Sequence, residues 1–294
     1  MIIIQPIDVT DSNLVTNVAL SEQEWTAGTT PEGAERRVGN DLYRAVVETT
    51  DDPVVGINAD PPTWIRLGVV NRFQMFDQFY HSQTVAVDQI DVTIQPSEVV
   101  NSVTLLNLDA LEARVRVEDG AGGTLYDQTQ SLLDNSQVLD YWEHFFSPIL
   151  RRKDLTFIDL PAYSLPIRVT VTGPAGEEVS VGGAFVGRQR IIGTAVYGTR
   201  RDLLNFSTKE RDQFGRFEIV SRAKAKLVSY EVAVETRNND YVADFLENVA
   251  DIPCIYIGDA SRGGTITYGY PRDFGFPYET PSISKLSLEV ESVT

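Results

Sequence analysis

The chain has 294 residues, with 25 Lys and Arg against 42 Asp and Glu and a formal charge of −17. That balance argues against nucleic acid as a partner, because binding a polyanion needs a basic surface that releases its condensed counterions. It disfavours an anionic membrane surface for the same reason. With 42% hydrophobic and 23% charged residues, the composition is that of a folded protein with two or three domains.

The first residues, Met1-Ile2-Ile3-Ile4-Gln5-Pro6, have no basic start and no long apolar stretch. They read as neither a signal peptide nor a membrane anchor, so synthesis and folding in a reducing cytoplasm are expected. Residues 1–19 are predicted to be an extended or short-strand segment. Residues 20–69 form a small module bounded by Trp25 and Trp64; about fifty residues without a disulfide give a thin core that leans on a neighbour.

Residues 70–193 carry alternating segments for one β-sandwich. Ile90, Val92 and Ile94 alternate with polar residues, as do Val115 and Val117, and Ile167, Val169 and Val171; period two is the mark of a half-buried strand. The glycine-rich runs 119–123, 173–176 and 262–264 are predicted to close hairpins. Between Ser136 and Phe146, Leu139, Trp142, Phe145 and Phe146 fall on one stripe, as a short surface helix or an aromatic-rich loop.

Residues 194–294 are predicted to be a second β-rich unit with one helix. Val228, Tyr230, Val232 and Val234 alternate in one strand, and Leu286, Leu288 and Val290 in another. Asn239 or Asp240 caps a helix whose buried face is Tyr241, Phe245, Leu246 and Val249, ended by Asp251-Ile252-Pro253. The expected fold class is mainly β: a small N-terminal β module, a central antiparallel β-sandwich and a C-terminal β-rich domain with one packed helix.

Chemistry-bearing residues are sparse. Cys254, the one cysteine, sits in an apolar run and reads as a buried inert thiol. His81 and His144 have no companion at ligand spacing. The Gly-x-Ser-x-Gly elbow and the phosphate-binding Gly-x-x-x-x-Gly-Lys-Ser/Thr loop do not occur. The acidic pairs Asp51-Asp52, Glu177-Glu178 and Asp119 with Asp127 lack the order of a calcium-binding hand and read as solvated turn carboxylates. Neither a cofactor, a metal nor a catalytic residue is expected.

Charge runs stand out instead. Arg151-Arg152-Lys153 is either a solvated loop or a docking patch for an acidic neighbouring subunit, since charge complementarity fixes register between partners. Arg200-Arg201-Asp202 and Lys209-Glu210-Arg211-Asp212, mixed-sign runs in a loop-like stretch, are either salt-laced surface or a subunit contact, with Lys209 and Arg211 as candidate contact residues.

The order of Trp25, the segment Val38-Gly39-Asn40-Asp41-Leu42-Tyr43-Arg44-Ala45, and Trp64 resembles small chitin- and cellulose-binding modules found on polysaccharide-degrading enzymes and phage tail proteins. Where those modules carry a further tyrosine and a pair of adjacent aromatics, this chain reads Pro31 and Val46-Val47. Trp25, Tyr43 and Trp64 are therefore candidates both for the core of the module and for stacking on the apolar faces of sugar rings.

From about Gly68 onward the sequence resembles a family of tail proteins of tailed bacteriophages. The resemblance is carried by Val70-Asn71-Arg72-Phe73-Gln74-Met75-Phe76-Asp77, Leu105-Leu106-Asn107-Leu108-Asp109 and Asp140-Tyr141-Trp142-Glu143-His144-Phe145-Phe146. It continues through Val181-Gly182-Gly183-Ala184 with Val186-Gly187, through Phe206 to Gly215, and through Tyr256-Ile257-Gly258-Asp259 before Tyr268-Gly269-Tyr270. It implies a non-enzymatic virion component of the tail tip, baseplate or tail adaptor, forming a homo-oligomeric ring and contacting tube or fibres. A host-surface carbohydrate-binding protein is the alternative, and a glycan depolymerase a weaker one.

Overall fold

The computed structural model describes residues 1–79, 81–120, 122–134, 140–146, 150–211, 215–277 and 280–293. The fold is mainly β, built on antiparallel sheets. The largest sheet has eleven strands. Its main path runs Leu155–Phe157, Ser102–Asp109, Glu178–Ile191, Ile2–Pro6, Cys254–Ile257, Ile266–Gly275, Ile283–Ser292, Lys224–Glu235 and Thr194–Ala195. Thr84–Val87 adds to Glu178–Ile191, and Arg200–Asn205 adds to Lys224–Glu235.

The strand Ile2–Pro6 joins the two halves of this sheet, paired on one side with Glu178–Ile191 and on the other with Cys254–Ile257. Its neighbours Ile3 and Ile4 are both fully buried, one in the core under the C-terminal helix and the other in a core on the opposite face. A strand covered on both faces reads as an unbroken apolar run, which is what Ile2-Ile3-Ile4 is.

A second sheet orders Thr124–Ser131, Glu112–Glu118, Ile167–Thr172, Gln89–Ile94 and Leu14–Thr16. It packs face to face on part of the large sheet. The predicted alternation supplies its half of the core, with Ile90, Val92, Ile94, Val115, Val117, Ile167, Val169 and Val171 all buried. Val103, Leu105, Val179, Val181 and Phe157 fill the other half. This is the central sandwich, and period two brings these apolar side chains to one face of their strands.

The 173–176 turn departs from expectation. It joins Ile167–Thr172 in the five-stranded sheet to Glu178–Ile191 in the large one, so it carries the chain between the sandwich layers and closes no hairpin. Gly176 has φ +80° and donates its amide to Asp88 Oδ1 at 2.5 Å. At Gly173 a Cβ would stand 2.4 Å from Val179 Cγ2. The same glycines suit a hairpin and a layer crossing, because both need an abrupt reversal.

The C-terminal helix spans Asn239–Asn248 and lies on Val228, Tyr230, Val232, Val234, Leu286, Leu288 and Val290. Its buried face is Val242, Phe245 and Leu246 with the following Val249, while Tyr241 is exposed and bonds the Arg190 guanidinium through its hydroxyl at 2.7 Å. Asn239 is not the cap: its buried amide donates to Ser284 Oγ at 2.8 Å, tying the first turn to the sheet, and Asn238 stands at the N-cap. Tertiary bonding has displaced the local capping expected of Asn.

A three-stranded sheet, Glu35–Val38, Asp41–Ala45 and Trp64–Val69, has a small core of its own around Tyr43, Ala45 and Trp64. In the segment predicted as a helix or aromatic loop, a helix is present over Tyr141–Phe146; Ser136, Leu139 and the side chain of His144 lie outside the described residues. Among the described residues no helix is long and apolar enough to cross a membrane.

A candidate protein–protein interface

The tryptophan module turns its aromatics inward. Trp64 is 1% exposed and donates its indole N–H to the Asp51 carbonyl at 3.1 Å. Tyr43 is buried beside it and Trp25 is partly buried against both. Gly56 presses on the indole so closely that a Cβ there would fall 2.4 Å from Trp64 Cδ1. Tyr43 and Trp64, enclosed in this way, have no free ring face, whereas Trp25 keeps part of its surface exposed. The residues with the strongest sequence signal in the module hold its core.

The acidic pairs serve local geometry. Asp52 accepts the Val54 amide at 2.8 Å and caps the short helix Pro53–Gly56, while Asp51 accepts the Thr63 hydroxyl. Asp119 accepts the Gly123 amide at 2.7 Å within its own turn, and Asp127 pairs with Arg114 at 2.5 Å. The Arg114 guanidinium holds the Asp127 carboxyl below the usual range. Among the described residues no group of three or more His, Cys, Asp and Glu is placed to hold a metal ion. Cys254 is fully buried, and burial pushes its thiol up to about 12, so the nucleophilic thiolate is suppressed at neutral pH.

The remaining predicted residues lie on or beside two protrusions. The first follows Thr124–Ser131. Strands Leu133–Asp134 and Leu150–Arg151 pair as a short ribbon, and the helix Tyr141–Phe146 lies in the excursion between them. Tyr141, Trp142, Phe145 and Phe146 are all exposed, with Trp142 stacked on Phe146 at 4.2 Å between centroids. At the ribbon's base Arg151 pairs with Asp109 at 3.0 Å, whereas Arg152 and Lys153 face solvent.

The second protrusion is a hairpin, Thr208–Arg211 with Phe217–Val220, which among the described residues pairs with no other strand. We call it the arm. Phe217 and Ile219 are 57% and 59% exposed, and Phe206, Val220 and Leu203 near its base are exposed as well. Lys209 and Arg211 are on its first strand, and the Arg211 guanidinium lies 5.9 Å from the Phe217 ring centroid. Isolated two-stranded hairpins are at best marginally stable, so an exposed apolar one signals a missing layer.

The two protrusions share a root. Asp154, just beyond the ribbon, lines a small cavity of 140 Å³ together with Arg201, Lys224 and Lys226 from the strands that carry the arm. Burial depresses the Lys226 ammonium pKa, Asp154 opposes that shift, and Arg201 and Lys153 add to it. Asp154 also accepts the Asn107 amide at 3.1 Å.

Charge separates the root of the arm from the rest, while the hairpin itself, residues 208–220, is balanced at three basic and three acidic residues. Between Arg200 and Lys226 the sequence holds eight Lys and Arg against four Asp and Glu, a net +4 within a chain of −17, leaving −21 elsewhere. The sequence expectation noted the runs at 200–202 and 209–212 separately and as loop-like, whereas Arg200–Asn205 and Thr208–Arg211 are strands, and it missed the length of the reversal and the apolar residues interleaved with it. A running charge count along the chain would have found it. Compared with known proteins, the chain matches no family model, no curated protein and no solved structure.

Proposed function

We propose that the chain is a structural subunit of a tailed-phage tail tip, baseplate or tail adaptor, working by fit against copies of itself and against neighbouring tail proteins. The observation that carries this reading is the arm: an exposed apolar hairpin on a basic root, borne by an acidic body. A patch of that kind on one side of a molecule and its complement elsewhere make a head-to-tail contact, which closes into a ring when the rotation allows. Electrostatic attraction steers the encounter and fixes register, and apolar burial supplies the affinity. The phage assignment rests on the sequence resemblance; the arm supports the mode of action. The aromatic helix Tyr141–Phe146 is a second exposed surface for tube or fibre.

Sedimentation velocity and negative-stain imaging of the purified chain test this. Ring-shaped oligomers that dissociate when residues 206–223 are replaced by a short Gly-Ser turn are the expected result. A monomer at every accessible concentration, together with absence from phage particles, would overturn it.

A further inference from the structure

Where the two protrusions meet, the small cavity has two unlike walls. Its floor is apolar: Leu106, Ile266 and Tyr268 are buried in one core cluster, where the Tyr268 ring stacks on Phe185 at 4.3 Å between centroids. Its rim is cationic. Strand register sets Leu203 opposite Lys226 and Asn205 opposite Lys224. Residues two apart on a strand share a face, so Arg201, Leu203, Lys224 and Lys226 all lie on one side of this strand pair. The turn Gly263–Thr265 shows where two of the charged heads are: a Cβ at Gly264 would stand 3.7 Å from Arg201 Nη1, and one at Gly263 would stand 3.8 Å from Asp154 Oδ2. Among the described lining residues Asp154 is the one acid against Arg201, Lys224 and Lys226, in a chain whose formal charge is −17.

We propose that this cavity binds a small organic anion, its apolar body on the floor and its carboxylate at the cationic rim. The inference goes beyond the ring reading, because it concerns a property of one chain by itself. Space sets the size of the body: a dry cavity of about 150 Å³ holds benzene, and this one has 140 Å³.

Charge sets the head group. A cleft with low-dielectric walls and an excess of one sign of charge concentrates counter-ions, and Arg or Lys bonding a carboxylate gives the stronger, charge-assisted kind of hydrogen bond. Burial, and then the charges of Arg201 and Lys153, disfavour the Lys226 ammonium by more than Asp154 restores. Asp77, whose charge reaches Tyr268, is the second acid of the neighbourhood, and Lys153 offsets it. An incoming carboxylate relieves this excess. The floor then selects among anions, because a bare inorganic ion leaves Leu106 and Ile266 uncovered.

Isothermal titration of the full-length chain at low ionic strength, with benzoate as the probe, tests the proposal. The expected result is saturable binding at least tenfold tighter than that of acetate, which lacks the apolar body, and of benzamide, which keeps the shape and loses the charge. Arg201→Gln and Lys226→Met should each weaken benzoate at least fivefold. Arg222→Gln, at an exposed cation outside the lining, should leave it unchanged. Asp154→Asn keeps an oxygen to accept the Asn107 amide and should tighten benzoate binding, an opposite sign that a merely structural role would not give. Urea unfolding checks each variant, and Arg201 is exposed, so its variant carries the test should Lys226→Met prove unstable. No saturable benzoate binding, equal affinity for acetate or benzamide, or an affinity indifferent to Arg201→Gln and Asp154→Asn overturns the proposal. Ring formation is read separately by sedimentation, so failure of this site and failure of the ring reading are distinct results.

Discussion

The arm and the strand pair Lys224–Glu235 with Ile283–Ser292 are built from similar residues and meet opposite fates. In the pair, Val228, Tyr230, Val232, Val234, Leu286, Leu288 and Val290 are all buried, because the helix Asn239–Asn248 lies over them. In the arm, Phe217 and Ile219 alternate in the same way, yet both stay exposed. Among the described residues, the two hairpin strands pair only with one another. Alternation prepares one face of a strand for burial; a second layer must still arrive to bury it. In the strand pair that layer comes from the same chain, and for the arm we propose that it comes from another.

The largest expected effect lies on the covered side. Leu288→Ala removes a fully buried side chain between sheet and helix, and should lower unfolding stability by roughly 3 kcal/mol through lost burial and the cavity left behind. Urea denaturation checks it. A loss below roughly 1 kcal/mol would mean that this layer collapses around the gap, and the contrast with the arm would weaken.

Next comes the arm itself. Phe217→Ser with Ile219→Ser should leave the stability of the isolated chain within about 0.5 kcal/mol, as for exposed positions generally, and weaken self-association at least tenfold, about 1.4 kcal/mol or more. Sedimentation and urea unfolding on the same sample separate the two effects. A stability loss matching that of Leu288→Ala would show that the arm folds back on its own body. Salt provides a smaller and separate lever. Association steered by the basic root of the arm toward an acidic surface should weaken several-fold on moving from low to high ionic strength, because exposed charges are screened, whereas the Leu288→Ala stability loss should hardly change.

The same contrast explains what the sequence made legible. Strands at 90–94, 115–117, 167–171, 228–234 and 286–290 were readable because each buries one face and turns the other toward solvent, which writes period two into the sequence. The helix was readable in place but not in rotation: Tyr241 was assigned inward, whereas Val242 is buried and Tyr241 bonds Arg190. One residue on a helix turns a side chain by about 100°, and what settles the choice is a sheet formed by strands remote in sequence. The 173–176 turn was readable as a reversal but not as a layer crossing, since that depends on which strands pair. Tyr43 and Trp64 showed that a module exists, but aromatic order alone does not separate a core from a stacking platform. Exposure of the arm was illegible for the same reason, because period two does not say whether a cover exists.

Polar contacts on the two sides of the comparison differ in reach, and Asp91 gives the finest test. On the solvent face of the sandwich, Asp91 accepts the Arg168 guanidinium at 2.9 Å from Nε and 2.5 Å from Nη2, and the Thr170 hydroxyl at 3.1 Å. Hydrogen bonding to Arg168 holds its carboxyl below the ordinary range, and burial opposes that shift. A depressed folded-state pKa stabilises the fold above the unfolded value of about 4. That contribution disappears as pH falls through the folded value. Because Arg168 is half-exposed, solvent screening limits the effect. Asp91→Asn should cost about 0.5 kcal/mol at neutral pH, and the gap to the unaltered chain should close as the solution is acidified below pH of about 4. Self-association should not change at neutral pH, since this ion pair is satisfied within one chain. Lys209 and Arg211 are predicted to behave in the opposite way, with alanine there leaving unfolding untouched and weakening only the encounter between copies. Urea unfolding across pH, run beside sedimentation of both variants, tests that opposition. If Asp91→Asn altered association as much as Arg211→Ala does, the sandwich surface would share in the contact and the line between the two regions would be wrongly drawn.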